Sequence, residues 1–199
     1  MFEVADYIGI IAFSMSGFFV ATRNSLDLLG ILIATFLTAL GGGIIRDIAV
    51  NEIPYTFSHT YPALIVLTVI TLMIAFKFHK KASIENKLLF ILSDSIGLVS
   101  FSIAGALIAI EHGLNLTGIL ALAFITAVGG GIARDIIINE VPFVFKTGFY
   151  GTVSLLIALI LYILEFLHVM SSFALIILFI VGVIVRVVAF YQQWSIPLR

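Results

Sequence analysis

Long apolar stretches separated by short polar breaks follow one another along the whole chain. Each stretch holds roughly 20 residues, the length that an α-helix needs to cross the hydrocarbon core of a bilayer. We therefore predict an all-α integral membrane protein with seven transmembrane helices in a single membrane domain, residues 1–199. The predicted spans cover about residues 4–22 and 28–50, a third span that ends at about residue 78, and then about residues 88–110, 116–138, 149–167 and 173–191.

Composition narrows the class of protein further. The chain is 62% hydrophobic and 11% charged, with a mean hydropathy of +1.25, which leaves no room for a soluble domain. It has no cysteine and its four histidines are scattered, so we expect no structural metal and no cofactor. The net charge of −1 argues against nucleic acid as a partner. The G-x-x-x-x-G-K-[ST] pattern of a nucleotide-binding loop is absent, and we expect a protein that is not an enzyme.

One motif occurs twice. Residues 38–48 read Thr-Ala-Leu-Gly-Gly-Gly-Ile-Ile-Arg-Asp-Ile, and residues 126–136 read Thr-Ala-Val-Gly-Gly-Gly-Ile-Ala-Arg-Asp-Ile. Both copies continue into Asn-Glu-x-Pro, and the offset of 88 residues gives 26 identities in 57 positions between residues 6–62 and 94–150. The chain thus contains repeat one (about 4–80), repeat two (about 88–168) and a seventh helix (about 171–193) without a partner. Each repeat holds three spans, an odd number, so the two are expected to be inverted in the membrane.

The glycine triplets predict broken helices. Each glycine in a helix interior costs about 1 kcal/mol relative to alanine, so we expect the second and fifth spans to be interrupted there. The two breaks would face each other near the membrane midplane, where free helix ends attract ions. Close helix packing is the alternative role for the glycines, and a functional kink is the favoured one. The candidate pore and kink residues are Thr38, Gly41, Gly42, Gly43, Thr126, Gly129, Gly130 and Gly131.

Charged side chains at membrane depth are the other candidate site residues. A charge near the bilayer centre costs at least about 2.5 to 3.5 kcal/mol, so such residues usually pair or face a cavity. Two roles stay open for the pairs Arg46-Asp47 and Arg134-Asp135: a structural clasp between the halves, or a lining of the pore. Negative charge at the mouths would concentrate cations, and the candidates are Asp6, Glu52, Asp94 and Glu140. Arg186 is expected to extend to the membrane interface, as long basic side chains near span ends do.

Basic residues in short loops predict the orientation. One face would hold Arg23, Lys77, Lys80, Lys81, Lys87, Lys146 and Arg199, and the other Glu3, Asp6, Glu52 and Glu111. We therefore expect a multi-pass plasma membrane protein with the N-terminus outside and the C-terminus in the cytoplasm. Because no basic region precedes the first apolar stretch, that stretch is expected to be a retained span and not a signal peptide.

The doubled Thr-Ala-x-Gly-Gly-Gly-x-x-Arg-Asp motif resembles the prokaryotic branch of the TRIC family, the trimeric intracellular cation channels. The resemblance covers essentially the whole chain. It implies a homotrimer of seven-helix protomers, each with its own potassium-permeable pore lined by the kinked second and fifth helices. The partners that it implies are membrane lipid and monovalent cations, with potassium as the permeant ion.

A second functional class stays open. Bacterial proteins with the same doubled motif are often described as glycine-transporter-like, and inverted repeats with broken helices occur in transporters as readily as in channels. The alternative is therefore a secondary transporter of a small amino acid such as glycine. A channel needs a continuous water path with weak cation contacts, whereas a transporter needs an occluded site near the midplane.

Overall fold

The computed structural model describes residues 2–78, 84–146 and 149–194, and within these ranges the chain forms nine helices and no strand. They are α1 (Phe2–Arg23), α2 (Leu28–Ala49), α3 (Tyr55–Ser58), α4 (Tyr61–Ala75), α5 (Ile84–Glu111), α6 (Leu116–Ile137), α7 (Phe143–Lys146), α8 (Tyr150–Phe166) and α9 (Ser172–Tyr191). Helices α1, α2, α5, α6 and α9 are long and apolar enough to cross a membrane, and α4 and α8 are shorter apolar helices. The predicted all-helical membrane class is confirmed.

Local capping explains why the helix starts were predictable. Asp27 precedes α2 and its side chain accepts a hydrogen bond from the Gly30 N–H at 2.8 Å. Asn115 does the same before α6, where it accepts from the Gly118 N–H at 2.9 Å. Side-chain oxygens at these positions satisfy N–H groups that the first helical turn leaves without a partner. Both helices therefore begin where the polar breaks of the sequence end.

The predicted breaks in the second and fifth spans are wrong. Helix α2 runs without interruption through Gly41, Gly42 and Gly43, and α6 runs without interruption through the matching triplet. The expectation rested on the low helix propensity of glycine, a penalty that tertiary packing routinely outweighs. The two triplets instead bring the backbones of α2 and α6 into contact, as described below.

The two repeats pack on each other through matching positions. Helix α1 packs on α5, and α2 packs on α6. A side chain on Gly9 would overlap the ring of Phe101, and a side chain on Gly97 would overlap the ring of Phe13. The two rings lie edge to face at 5.2 Å between centroids. Because each contact has a counterpart 88 residues along the chain, the two halves meet reciprocally.

The Asn-Glu-x-Pro part of the motif ends the two central helices. Asn51 (φ 62°) and Asn139 (φ 59°) adopt the left-handed conformation just after α2 and α6. The next N–H groups then bond back into the helix, from Glu52 to the Asp47 carbonyl at 2.9 Å and from Glu140 to the Asp135 carbonyl at 2.8 Å. This is the Schellman arrangement, in which asparagine is a common substitute for glycine. The chain then turns into α3 or α7, two short helices that the hydropathy pattern did not predict.

Helix α9 has no counterpart in the other half and packs on α5 and α8. Its Arg186 is buried, with 2% of its surface exposed. The prediction that Arg186 extends to the membrane interface is wrong, because its guanidinium turns inward over the ring of Tyr150 at 4.6 Å from the centroid. The other face of α9 is apolar and exposed, as a lipid-facing or subunit-facing surface would be.

Candidate functional site

The two glycine triplets meet where α2 crosses α6. A Cβ on Gly42 would overlap the carbonyl oxygen of Thr126, and a Cβ on Gly130 would lie 2.5 Å from the carbonyl oxygen of Thr38. A Cβ on Gly41 would lie 3.1 Å from the Cα of Gly130. Only hydrogen atoms fit at these positions, so two helix backbones touch directly, with Cα–H groups aimed at carbonyl oxygens. The geometry of Gly42 and Gly130 is that of close packing.

The last glycine of each triplet has more room. A Cβ on Gly43 would have Nη2 of Arg46 as its nearest neighbour at 3.7 Å, and a Cβ on Gly131 would have Nη2 of Arg134 at 3.8 Å. A Cβ on Gly129 would approach Cδ1 of Ile45 to 3.0 Å. The members of one triplet therefore differ in surroundings, which identical residue types in a sequence do not reveal.

Thr38 and Thr126 are buried beside the crossing. Each hydroxyl donates to the carbonyl one turn back, at 2.6 Å, to Ala34 and Leu122 respectively. Each hydroxyl also lies against a glycine of the neighbouring helix, Gly17 for Thr38 and Gly105 for Thr126. Both hydroxyl protons are thus used within their own helices, so only the lone pairs remain to meet another group.

The first charged cluster joins α1, α2 and the start of α3. Arg46 donates from Nη1 to Asp6 at 2.6 Å and from Nε to Asp47 at 2.8 Å. The second carboxylate oxygen of Asp47 accepts from the backbone N–H of Tyr55 at 2.9 Å. Asp47 thereby ties the returning chain to the end of α2. One guanidinium meets two carboxylates here, so the cluster carries one net negative charge.

The second cluster repeats this design with one difference. Arg134 contacts Asp135 at 2.7 Å, and Asp135 accepts from the backbone N–H of Phe143 at 2.8 Å. Arg134 also donates from Nη1 to the hydroxyl of Thr38 at 3.4 Å. Within the described part of the chain, no ion pair within 4.0 Å joins Arg134 to Asp94, the counterpart of Asp6.

Asp94 has hydrogen-bond partners other than Arg134. Its Oδ1 accepts from the hydroxyl of Ser16 at 3.1 Å and from the hydroxyl of Tyr150 at 3.3 Å. The ring of Tyr150 carries the Arg186 guanidinium on its face. Repeat one has Pro62 at the position of Tyr150, so this arrangement exists only in repeat two. Sequence reasoning missed Ser16 and Tyr150 and placed Arg186 at the membrane interface, and the one available signal was that the aligned repeats differ at Tyr150.

An acidic cavity of about 340 Å³ opens beside the first cluster. Five carboxylates and one arginine are among its lining groups: Glu3, Asp6, Asp47, Glu52, Glu111 and Arg46. A smaller cavity of about 20 Å³ lies deeper against the same Asp6, Arg46 and Asp47 and reaches Gly43 and Phe101. We call the larger cavity the vestibule. The predicted acidic face of Glu3, Asp6, Glu52 and Glu111 is gathered there.

Polar contacts outside the spans distinguish the two ends of the molecule. At the vestibule, Tyr55 shares a hydrogen bond of 3.0 Å with Tyr7, which raises the pKa of Tyr55 to about 12. His112 lies 3.7 Å from Glu52. After α6, the Lys146 ammonium donates to Glu140 at 2.9 Å and holds the pKa of Glu140 below its usual value. Glu140 is thus neutralised, whereas the vestibule keeps an excess of carboxylates.

Arg134 and Asp135 form the second charged cluster and Glu140 pairs with Lys146, while the other predicted site residues fall into three groups. The glycines and threonines lie at the crossing, Asp6 and Glu52 lie with Arg46 and Asp47 at the vestibule, and Asp94 lies apart near Arg186. Lys80, Lys81 and Arg199, on which part of the orientation depends, lie outside the described residues. Within the described ranges no group of three or more histidines and carboxylates is arranged to hold a metal ion.

Two comparisons of sequence identify the family. A family model described as "Glycine transporter" matches residues 3–79 and 91–165, the two repeats. The chain belongs to this family. The UPF0126 membrane protein YvgT of Bacillus subtilis is 36% identical over 197 residues, which is 99% of this chain and 96% of that protein. The UPF0126 inner membrane protein YadS of Escherichia coli is 31% identical over 147 residues, 74% of this chain and 70% of that protein.

Solved structures of TRIC channels share the fold over the whole length. One, solved to explain conductance through TRIC cation channels, has a TM-score of 0.84 and 33% identity and covers 100% of this chain and 97% of its own. A prokaryotic TRIC channel crystallised in 0.5 M KCl has a TM-score of 0.88 and 28% identity, with 98% of both chains covered. A Rhodobacter sphaeroides orthologue of the trimeric intracellular cation channel has a TM-score of 0.87 and 26% identity, with 97% and 98% covered. The resemblance to the TRIC family is confirmed.

Proposed function

We propose that this protein is a monovalent cation channel that conducts potassium through each protomer of a homotrimer. The observation that carries the proposal is the vestibule, because its excess of carboxylates lies at the end of α2, next to the smaller cavity that reaches Gly43. Acidic mouths with low-dielectric walls raise the local concentration of cations. The likeness to TRIC cation channels over the whole chain supports the same conclusion.

The architecture proposed for this function has seven transmembrane helices, α1, α2, α4, α5, α6, α8 and α9. They form one membrane domain of two inverted three-helix repeats plus α9, and the reciprocal contacts between Phe13 and Phe101 support that symmetry. The neighbour from Rhodobacter sphaeroides is described as trimeric, which supports a homotrimer here. Exposed apolar side chains on α4, α8 and α9 are suited to contact with lipid or with another protomer.

The pathway is proposed to run from the vestibule past Asp6 and Arg46 to the smaller cavity beside Gly43. Potassium is the permeant ion and not a resident cofactor, and no covalent chemistry is involved. The Arg-Asp pairs act as clasps, and Arg46 and Asp47 also line the wet path. Gly42 and Gly130 set the distance between α2 and α6, so a bend at the triplets would act through Gly43 and Gly131.

Transport of glycine is the second candidate because the family model carries that description. A glycine carboxylate would need a free cationic partner, and Arg46 is already held by two carboxylates at 2.6 and 2.8 Å. Arg134 is likewise engaged with Asp135 at 2.7 Å. The structural neighbours are cation channels, so the transporter is not favoured.

Currents from the purified protein in a planar bilayer test the proposal. We expect discrete events that reverse near the potassium equilibrium potential in a KCl gradient and exclude chloride. In the double variant Glu52→Gln with Glu111→Gln, conductance should fall severalfold at about 0.01 M salt and little at about 1 M, because salt screens the lost charge. The matched control is Glu165→Gln, an exposed carboxylate on α8 that is not among the vestibule residues. A silent bilayer together with saturable glycine uptake into liposomes would replace the channel by the transporter.

A further inference from the structure

Among the residues that the structure describes, no carboxylate forms an ion pair with the buried Arg186. Its guanidinium lies over the rings of Tyr150 at 4.6 Å and Phe190 at 5.7 Å. Its Nε has no hydrogen-bond partner within the described ranges, although only 2% of the residue is exposed. Cation–π contacts of this kind return only part of the cost of burying an arginine. A charge must therefore compensate it nearby.

Asp94 is that charge. The hydroxyl of Tyr150 donates to Asp94 at 3.3 Å, so one tyrosine side chain bridges the carboxylate and the guanidinium. The Arg186 guanidinium on the face of Tyr150 is thus one side chain removed from the Asp94 carboxylate. Asp94 is 4% exposed, which makes such a compensation necessary.

In repeat one, the carboxylate at the position equivalent to Asp94 has a different partner. Asp6, the counterpart of Asp94, is paired directly with Arg46 at 2.6 Å. The group Asp6, Arg46 and Asp47 has one net negative charge, whereas Asp94, Arg134, Asp135 and Arg186 together are neutral. The difference between the two halves is the single charge that α9 supplies, and α9 is the helix without a counterpart in the repeat.

We propose that Asp94, Ser16 and Tyr150 form a second monovalent cation subsite, and that the guanidinium of Arg186 acts as a tethered cation that keeps potassium out of it. The inference rests on the proposed function, because it assigns this subsite to the half of the pathway away from the vestibule. The ligands are one carboxylate and two hydroxyls, and oxygen atoms are the ligands that hard alkali and alkaline-earth cations prefer. Withdrawal of Arg186 from Tyr150 would open the subsite.

Thermal stability in different salts tests the subsite without depending on currents. The purified oligomer is melted in KCl and in choline chloride at equal ionic strength. For Arg186→Gln we expect a melting temperature that rises saturably with potassium, because a ligand that binds the folded state stabilises it. The wild type should need an about tenfold higher potassium concentration for the same rise in melting temperature, since its guanidinium repels the ion. An identical potassium response in the wild type and Arg186→Gln would overturn the proposal.

Two further variants identify the ligand and the charge. Adding Asp94→Asn to Arg186→Gln should abolish the potassium response, and retention of the response would overturn the proposal by locating the ion elsewhere. Arg186→Lys is the matched control, because it keeps the positive charge and should behave as the wild type does. A saturable potassium response in Arg186→Gln from a protein that gives no currents would support the subsite while refuting the channel, so the two failures are distinguishable.

Arg186→His keeps the proposal testable if Arg186→Gln does not assemble. A histidine there lies beside Tyr150, whose hydroxyl bonds Asp94, and it can be charged at about pH 5.5 and neutral at about pH 9. The potassium response should be absent at the lower pH and present at the higher one. Equal responses at both pH values would overturn the proposal, provided that the wild type also shows no change between them.

Discussion

Arg46 and Arg134 differ in the number of carboxylates that each guanidinium contacts. Arg46 keeps Asp6 at 2.6 Å in addition to Asp47 at 2.8 Å. Arg134 has Asp135 at 2.7 Å and, among the described residues, its further hydrogen-bond partner is the hydroxyl of Thr38 at 3.4 Å. The two Arg-Asp pairs have the same sequence, but Arg46 is held by two carboxylates and Arg134 by one.

This inequality predicts unequal costs for the same substitution. Asp135→Asn leaves Arg134 buried without a close carboxylate, which typically costs about 3 to 5 kcal/mol of stability. Asp47→Asn leaves Arg46 paired with Asp6 and mainly weakens the hydrogen bond to the Tyr55 N–H, a cost of about 1 to 2 kcal/mol. Melting of the purified oligomer in detergent should show the larger loss for Asp135→Asn. Equal losses would mean that Asp94 serves Arg134 as Asp6 serves Arg46.

The sequence could predict the Arg-Asp pairs but not all of their partners. Adjacency and repetition identified Arg46 with Asp47 and Arg134 with Asp135, and inversion suggested equal surroundings. Arg186 was wrongly predicted to be interfacial because its position depends on how α9 packs on α5 and α8, which hydropathy does not specify. From the sequence alone, an arginine on an apolar helix is expected to extend to the interface, and only its packing neighbours show that it is buried.

Among the elements, α2 and α6 are arranged around the glycine crossing. Their bounds were predictable, since the capping residues Asp27 and Asn115 are local signals. The predicted interruption was wrong because helix propensity is a weak prior against tertiary contacts. The penalty of three glycines is offset by backbone contact that no larger residue would allow at Gly42 and Gly130.

Alanine substitutions within one triplet separate packing from flexibility. Gly42→Ala and Gly130→Ala place a Cβ against backbone carbonyls, and we expect a loss of about 1 to 3 kcal/mol with lower yield of the assembled protein. Gly43→Ala and Gly131→Ala are the matched controls, because their nearest neighbours are guanidinium nitrogens at 3.7 and 3.8 Å. These should keep or gain stability, as alanine favours the helix by about 1 kcal/mol.

The same controls test whether the triplets must bend. If conduction needs a flexible helix, Gly43→Ala and Gly131→Ala should assemble normally and conduct less, measured as unit conductance in a planar bilayer. Normal conductance in both variants would leave packing as the role of the triplets. That outcome would remove the glycine kink from the proposed pathway while leaving the vestibule in place.

Across the whole molecule, charge divides the two ends. The vestibule holds the carboxylates of Glu3, Glu52 and Glu111, whereas Glu140 is neutralised by Lys146 at 2.9 Å. Fold class and the positions of the long helices were predictable because the apolar stretches have the length of a membrane span. The acidic residues of the vestibule were predictable from the sequence. The cavity itself was not, since its volume arises where α1, α2, α3 and α5 meet.

Helix α5 offers the sharpest test of how the molecule sits in the membrane. Lys87 and Glu111 lie near its two ends, separated by about 36 Å of helix, and both are exposed. Basic residues are retained on the cytoplasmic side, so Lys87 should face the cytoplasm and Glu111 the outside. The chain has no cysteine, so Lys87→Cys and Glu111→Cys each introduce a unique label site. A membrane-impermeant maleimide added to intact cells should label Glu111→Cys alone, and both variants should react once the membrane is opened by detergent. Labelling of Lys87→Cys alone in intact cells would invert the orientation and direct the vestibule toward the cytoplasm, so that the acidic mouth would concentrate cations on the inner side.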